Sequence, residues 1–181
     1  MGSPDVKGEL LGLLRSGRAV MLGKLEGLSE YDRRRPLTAS GTNLLGLVKH
    51  LAGLEYGYLG ASFGRPPAER PTWFRDDPYD EIDMWATADE SSDYIASVYR
   101  KACAHADATV GALELDSPGF VAHWAEGKTT LGVLLIRMAG ETAQHAGHAD
   151  IVRELIEAAP GDTQYGMVQA VADQFRGGSV P

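Results

Sequence analysis

Apolar positions recur at three- and four-residue steps through most of the chain. Leu10, Leu13, Leu14, Met21, Leu25 and Leu28 follow Val6 at this spacing and predict a first helix from about Pro4 to Leu28 with one buried stripe. The stretch Tyr31 to Gly41 breaks the rhythm with Arg33, Arg34, Arg35 and Pro36. Thr38, Ser40 and Thr42 follow, so it reads as a loop ending in an N-cap ahead of a second helix, roughly Asn43 to Phe63. Between Gly64 and Ser91, Pro66, Pro67, Pro71 and Pro78 exclude one regular element, while Trp73, Phe74, Tyr79 and Trp85 predict a connection that packs on the protein.

Ser91 or Ser92 caps a third helix with Ile95, Val98, Ala102, Ala106, Thr109 and Leu113 inward, ending near Leu115 before the turn Asp116-Ser117-Pro118-Gly119. Thr129 or Thr130 caps a fourth, which runs through Leu134, Met138, Val152 and Ile156 until Pro160-Gly161 stops it. An amphipathic piece, about Asp162 to Phe175, precedes a Gly-Gly-Ser tail. No strand-like alternation of convincing length occurs. The expected fold class is all-α: a four-helix bundle with a long crossover between helices 2 and 3, plus a short C-terminal helix, in one domain over residues 1–181.

Charge and cysteine usage narrow the partners. A formal net charge of -8 argues against nucleic acid and anionic membranes, which require a basic face, and leaves small molecules as the expected ligands. One cysteine, Cys103, excludes an internal disulfide, and no signal-like start or long apolar run appears, so a cytoplasmic protein is expected. Nothing excludes a homodimer.

The anomaly is polar residues on inward arcs. Projected at about 100° per residue, Glu141, His145 and His148 fall within roughly 60° of one another, on an arc shared with Leu134, Met138 and Val152. His50 shares an arc with Leu47, Leu54, Gly57 and Ala61, whereas Lys49 and Glu55 are expected to project elsewhere. Burying such groups requires mutual hydrogen bonds or a cation. A Glu-His pair one turn apart, with an imidazole from a facing helix, makes a three-point grip with open coordination positions, the arrangement of a catalytic metal. On the residues alone His145 with His148 is an alternative chelating pair, leaving Glu141 as an outer partner or base. Gly53, Gly57, Gly140 and Gly147 are expected to leave room for a guest. A di-iron centre needs two Glu-x-x-His motifs and two further inward Glu residues, so one metal ion is favoured.

At these residues the chain resembles a known family. Asn43-Leu44-Leu45-Gly46-Leu47-Val48-Lys49-His50-Leu51 and Glu141-Thr142-Ala143-Gln144-His145-Ala146-Gly147-His148-Ala149-Asp150 resemble the DinB-like superfamily. The likeness is to its actinobacterial branch related to mycothiol-dependent maleylpyruvate isomerase and, more distantly, to the bacillithiol transferases. The resemblance implies a four-helix bundle with a mononuclear metal site, and metal ligands at His50, Glu141 and His145. Where many relatives carry His-x-x-x-His, Glu141 stands in place of a histidine, as in the mycothiol branch. His148 falls where many relatives have Gln, which implies an outer-shell, pocket-lining or proton-carrying role.

The function expected from residues and resemblance together is a metal-dependent thiol S-transferase or isomerase acting on a small electrophile. A divalent metal, Zn before Ni, Fe or Mn, would activate a low-molecular-weight thiol cosubstrate of the mycothiol type. Two alternatives use the same residues: a metal-dependent hydrolase with His148 as proton shuttle, and a non-catalytic metal- or ligand-binding stress protein. Cys103 reads as a small buried residue rather than a nucleophile. Arg137 and the Arg33-Arg34-Arg35 run are candidates for holding an anionic cosubstrate, and His105 and His123 for structural or pocket-lining roles.

Overall fold

The computed structural model describes residues 5–74 and 81–158. Four long helices carry the architecture: α1 (Val6–Gly23), α3 (Leu44–Tyr58), α4 (Ser92–Ala112) and α5 (Leu131–Glu157). A one-turn helix α2 (Glu30–Arg34) lies between the first two, and strands β1 (Pro118–Phe120) and β2 (Lys128–Thr130) precede α5. The crossover from α3 to α4 contains two 3₁₀ turns, Ala61–Phe63 and Glu81–Met84. The C-terminal helix expected over Asp162 to Phe175 lies outside the described residues.

Local chemistry accounts for the boundaries. Side chains of Asp5, Asn43 and Ser91 accept from the amides of Gly8, Gly46 and Tyr94 at the starts of α1, α3 and α4, satisfying donors that no helical carbonyl reaches. α1 packs mainly on α5, α3 on α4, and α3 also on α5. Two clusters fill the interior. One gathers Met21, Leu45, Val48, Leu51, Ile95, Tyr99 and Val152, and the other Leu14, Leu59, Val110, Leu134, Leu135 and Met138.

Several expectations need correction. The loop after the first helix contains α2, which Ser29 caps and a Glu30–Arg34 ion pair one turn apart reinforces. β1 and β2 form an antiparallel pair, with Pro118 opposite Thr130 and Phe120 opposite Lys128. Three residues per strand are too few to show alternation. Gly127 closes the connection at φ 68°, where a Cβ would also strike the Phe120 ring. Leu13 of the expected first stripe is exposed.

The largest departure is on α3. Lys49 and Glu55, expected to point away, are both 0% exposed, and Arg18 of α1 is 5% exposed. Each is paired. Arg18 grips Glu55 through two hydrogen bonds, Nε to Oε1 at 2.6 Å and Nη2 to Oε2 at 2.7 Å, and reaches Asp107 with Nη1 at 2.6 Å. Burial alone would lower the Arg18 pKa, but these bonds and the Glu55 charge raise it, so the guanidinium is held charged. Lys49 Nζ donates to Glu90 Oε2 at 2.8 Å and to the carbonyls of Ile82 and Trp85.

Candidate functional site

α3 and α5 bring the histidines together. The His50 and His145 rings meet edge to face with centroids 5.1 Å apart, and His148, one turn on, has its ring 5.4 Å from that of His145. Glu141 Oε2 stands 3.8 Å from His145 Nε2. His50 and Glu141 thus each stand beside His145, at the flank of the helix packing and not in a sealed core. The His145 side chain is 13% exposed, that of Glu141 is 30%, and His148 is exposed.

Protonation follows from the surroundings. The ordinary His145 pKa of 6.5 is pushed down to about 4, first by burial and then by the neighbouring His50 and His148, with Asp83 pulling weakly the other way. His145 is therefore a neutral imidazole with a lone pair to offer. His50 Nδ1 lies 2.8 Å from Asp83 Oδ2. A carboxylate only accepts, so Nδ1 carries the hydrogen and a neutral ring presents its lone pair at Nε2.

His145 has two neighbours on different nitrogens. Nε2 faces Glu141, whereas Nδ1 lies 3.4 Å from His148 Nδ1. One ring nitrogen serves one ion, so the Glu141 and His148 arrangements exclude each other around a single metal. The Nε2–Oε2 separation of 3.8 Å is too long for a hydrogen bond. Two donors on one tetrahedral ion with bonds of ~2.0–2.1 Å stand about 3.4 Å apart, a spacing close to it. Among the described residues no three His, Cys, Asp or Glu side chains are placed so as to hold a metal ion. The chemistry of the donor set, two imidazoles and a carboxylate, nevertheless fits a borderline divalent cation.

An aromatic wall borders this flank. Arg137, one turn before Glu141, lies 4.8 Å over the Trp124 ring and 5.9 Å over that of Tyr58, with Nη1 3.9 Å from Glu141 Oε1. Trp124 and His123, carried by the β1–β2 connection, both contact the Tyr58 ring. On the other side Phe74 lies over Gly53 and Gly57, where an added Cβ would sit 3.9 Å from its ring. Those two glycines seat an aromatic instead of leaving a void, and Gly140 and Gly147 are exposed.

Other candidates separate from the site. Burial, chiefly, and the Glu55 charge push the Cys103 thiol up to about 12, which suits an inert residue. Arg33, Arg34 and Arg35 are spent locally: Arg33 donates to the Leu25 carbonyl, Arg34 to that of Thr87, and Arg35 pairs with Asp32. His105 Nε2 lies 2.7 Å from the Arg65 carbonyl oxygen, a structural role. The residue that sequence reading missed is Asp83, in an aperiodic crossover 33 positions from His50. No signal but its carboxylate marked it.

Mostly helical, with a half-exposed histidine–carboxylate flank, the molecule has the outline of a helical ligand-binding or catalytic protein. The chain belongs to the mycothiol S-transferase family (MST), a DinB-like family whose sequence profile matches residues 9–158. No curated protein matches it. A solved structure described as the conserved protein of locus from Enterococcus faecalis is similar, with a TM-score of 0.67 at 13% identity over 85% of this chain and 98% of that one. At that identity the likeness concerns the fold. Among the described residues no helix is long and apolar enough to cross a membrane.

Proposed function

We propose that this chain is a metal-dependent, mycothiol-type thiol S-transferase or isomerase acting on a small electrophile, built on a four-helix DinB-like bundle. Family membership supports the thiol chemistry. His50, Glu141 and His145 would hold one divalent cation, Zn first by donor chemistry. The observation that carries this reading is the His145 Nε2–Glu141 Oε2 pair, too far apart to hydrogen bond at 3.8 Å and spaced like two ligands of one ion, with the His50 ring facing it.

A divalent cation held by His50, Glu141 and His145 would supply Lewis acidity that favours the thiolate form of a nearby thiol. The protein's own groups do the rest. Arg137, fixed on Trp124 and Tyr58, places a cation beside Glu141, where it would orient an anionic part of a substrate. In transfer, exposed His148 would take the thiol proton and give it to the leaving group as the sulfur–carbon bond forms and the bond from that carbon to the leaving group breaks.

Elemental analysis of the purified chain and of His50→Ala, Glu141→Ala and His148→Ala tests the site. About one metal per chain is expected in the wild type and His148→Ala, with loss in the other two. Full occupancy in His50→Ala and Glu141→Ala sinks the assignment. Loss in His148→Ala with retention in Glu141→Ala moves the ligand set to the two-histidine alternative. Mycothiol-dependent consumption of an electrophile supports transfer, whereas thiol-independent ester or amide cleavage supports a hydrolase.

A further inference from the structure

The crossover between α3 and α4 contributes more than coverage to the histidine flank. Its second 3₁₀ turn, Glu81–Met84, is fastened to α3 at three points. Asn43 Nδ2 donates to the Met84 carbonyl at 3.1 Å. Lys49 Nζ donates to the Ile82 carbonyl at 3.1 Å and the Trp85 carbonyl at 2.8 Å, and its own charge is met by Glu90 Oε2 at 2.8 Å. The third point is contact. A Cβ on Gly46 would stand 1.9 Å from the Met84 carbonyl oxygen, so the turn lies directly on the helix backbone, where only glycine fits. A fully buried lysine donating to one carbonyl in the turn and one just after it is costly unless every bond is made, so this arrangement has little freedom to drift.

Asp83 lies between two of the carbonyls so held, and its Oδ2 is 2.8 Å from His50 Nδ1. That bond fixes both the tautomer and the rotation of the ring and leaves Nε2 as the nitrogen with a lone pair, while the His145 ring stands 5.1 Å off, centroid to centroid. Without it the imidazole, whose side chain is 22% exposed, has no other hydrogen-bond partner within reach among the described residues.

We infer that Asp83 is the positioning residue for His50. It is held in place by the Lys49–Glu90 staple and by the absence of a side chain at Gly46, so the crossover, and not α3 and α5 alone, sets metal affinity. This inference rests on the proposed metal reading. It adds a residue that touches neither metal nor substrate but determines which nitrogen of His50 is offered.

The test uses the full chain, with Zn²⁺ affinity measured by competition against a fluorescent chelator and ligand geometry by the visible absorption of the Co²⁺-loaded protein. Asp83→Asn is expected to bind Zn²⁺ about 10- to 100-fold more weakly, as for other groups that orient metal-bound imidazoles, and to shift the Co²⁺ bands. Its metal-free unfolding midpoint should stay unchanged, because the Asp83 side chain is 24% exposed. Asp83→Glu should recover part of the affinity. Gly46→Ala, which alters no titratable group, should displace the turn and weaken Zn²⁺ binding as well. Combined with Asp83→Asn it should add little further loss, since both act through one contact.

Wild-type affinity in Asp83→Asn overturns the inference while leaving the metal reading intact. A loss as complete as that of His50→Ala overturns it too, by making Asp83 a ligand. Failure of the unsubstituted chain to take up either Zn²⁺ or Co²⁺ overturns the metal reading and this inference together.

Discussion

Two clusters of ionisable side chains share helix α3, one built with α1 and α4 and the other with α5, and they differ in how completely they are satisfied. Around Arg18 every strong partner is present: Glu55 accepts two hydrogen bonds at 2.6 and 2.7 Å, and Asp107 accepts a third. Around His145 none is closed. Glu141 stands 3.8 Å away, His148 makes one long contact at 3.4 Å, and His50 offers a ring edge. The Arg18 cluster is buried and complete, so it has nothing left to offer a ligand. The histidine flank is half-exposed and incomplete, which is the condition for binding something else. Unmet partners, and not burial of charge, are what set the proposed site apart from the Arg18 cluster.

The sharpest break of that contrast is Arg18→Ala. It strands the carboxylate of Glu55, whose side chain is 0% exposed, and should destabilise the protein by about 3–5 kcal/mol in denaturant unfolding. Metal content of the folded fraction should stay at the wild-type level. A loss under about 1 kcal/mol, the value of a surface pair, would show that the cluster is not closed as described.

Lys49→Met comes next and joins the two regions. It removes the lysine donor from the carbonyls of Ile82 and Trp85 and from the buried Glu90, whose carboxylate keeps the Thr87 amide, for an expected loss of about 1–3 kcal/mol. By loosening the turn that carries Asp83 it should also weaken Zn²⁺ binding, which Arg18→Ala should not. Equal metal affinity in the two variants would separate the crossover from the site.

The reach of sequence reading divides along the same line. Long helices were legible because Ile95, Val98, Ala102 and Ala106, or Leu134, Met138 and Val152, repeat at helical spacing, and all of these are buried. The histidines and Glu141 were legible because a polar residue on an apolar arc stands out. Lys49 and Glu55 were misplaced because a charged side chain ordinarily marks a solvent face, and the partners that overturn this rule, Glu90 and Arg18, lie 41 and 37 positions away. Asp83 was invisible because its turn has no periodicity and its meaning arises only from contact with His50. The family resemblance supplied the ligand assignment that spacing left open between Glu141 and His148.

Acid should distinguish the clusters by a smaller amount. The folded His145 pKa of about 4 lies below its ordinary 6.5, so between those values the unfolded chain binds the proton and the folded chain does not. Its contribution to metal-free stability is complete above pH about 6.5, declines as pH falls toward 4, and changes no further below that. The melting temperature of the apoprotein should drop by several degrees from this group over that interval. His145→Gln, compared with wild type at each pH, should remove that part of the slope. Identical slopes would mean that His145 is as easily protonated as a free histidine and that burial does not keep its ring neutral through this interval.

The smallest effect on stability carries the finest distinction. His148 is exposed, and its one hydrogen-bonding contact among the described residues is the 3.4 Å approach to His145 Nδ1, so His148→Ala should change unfolding free energy by no more than about 0.5 kcal/mol. Its chemistry is another matter. If His145 uses Nε2 with Glu141, removing His148 leaves metal content intact and lowers turnover by the loss of a proton carrier, about 10²-fold or more, with a changed pH profile. If His145 uses Nδ1 with His148, the same substitution empties the site while Glu141→Ala leaves it occupied. The two nitrogens of one imidazole thus predict opposite metal contents for the same pair of variants, at nearly constant stability.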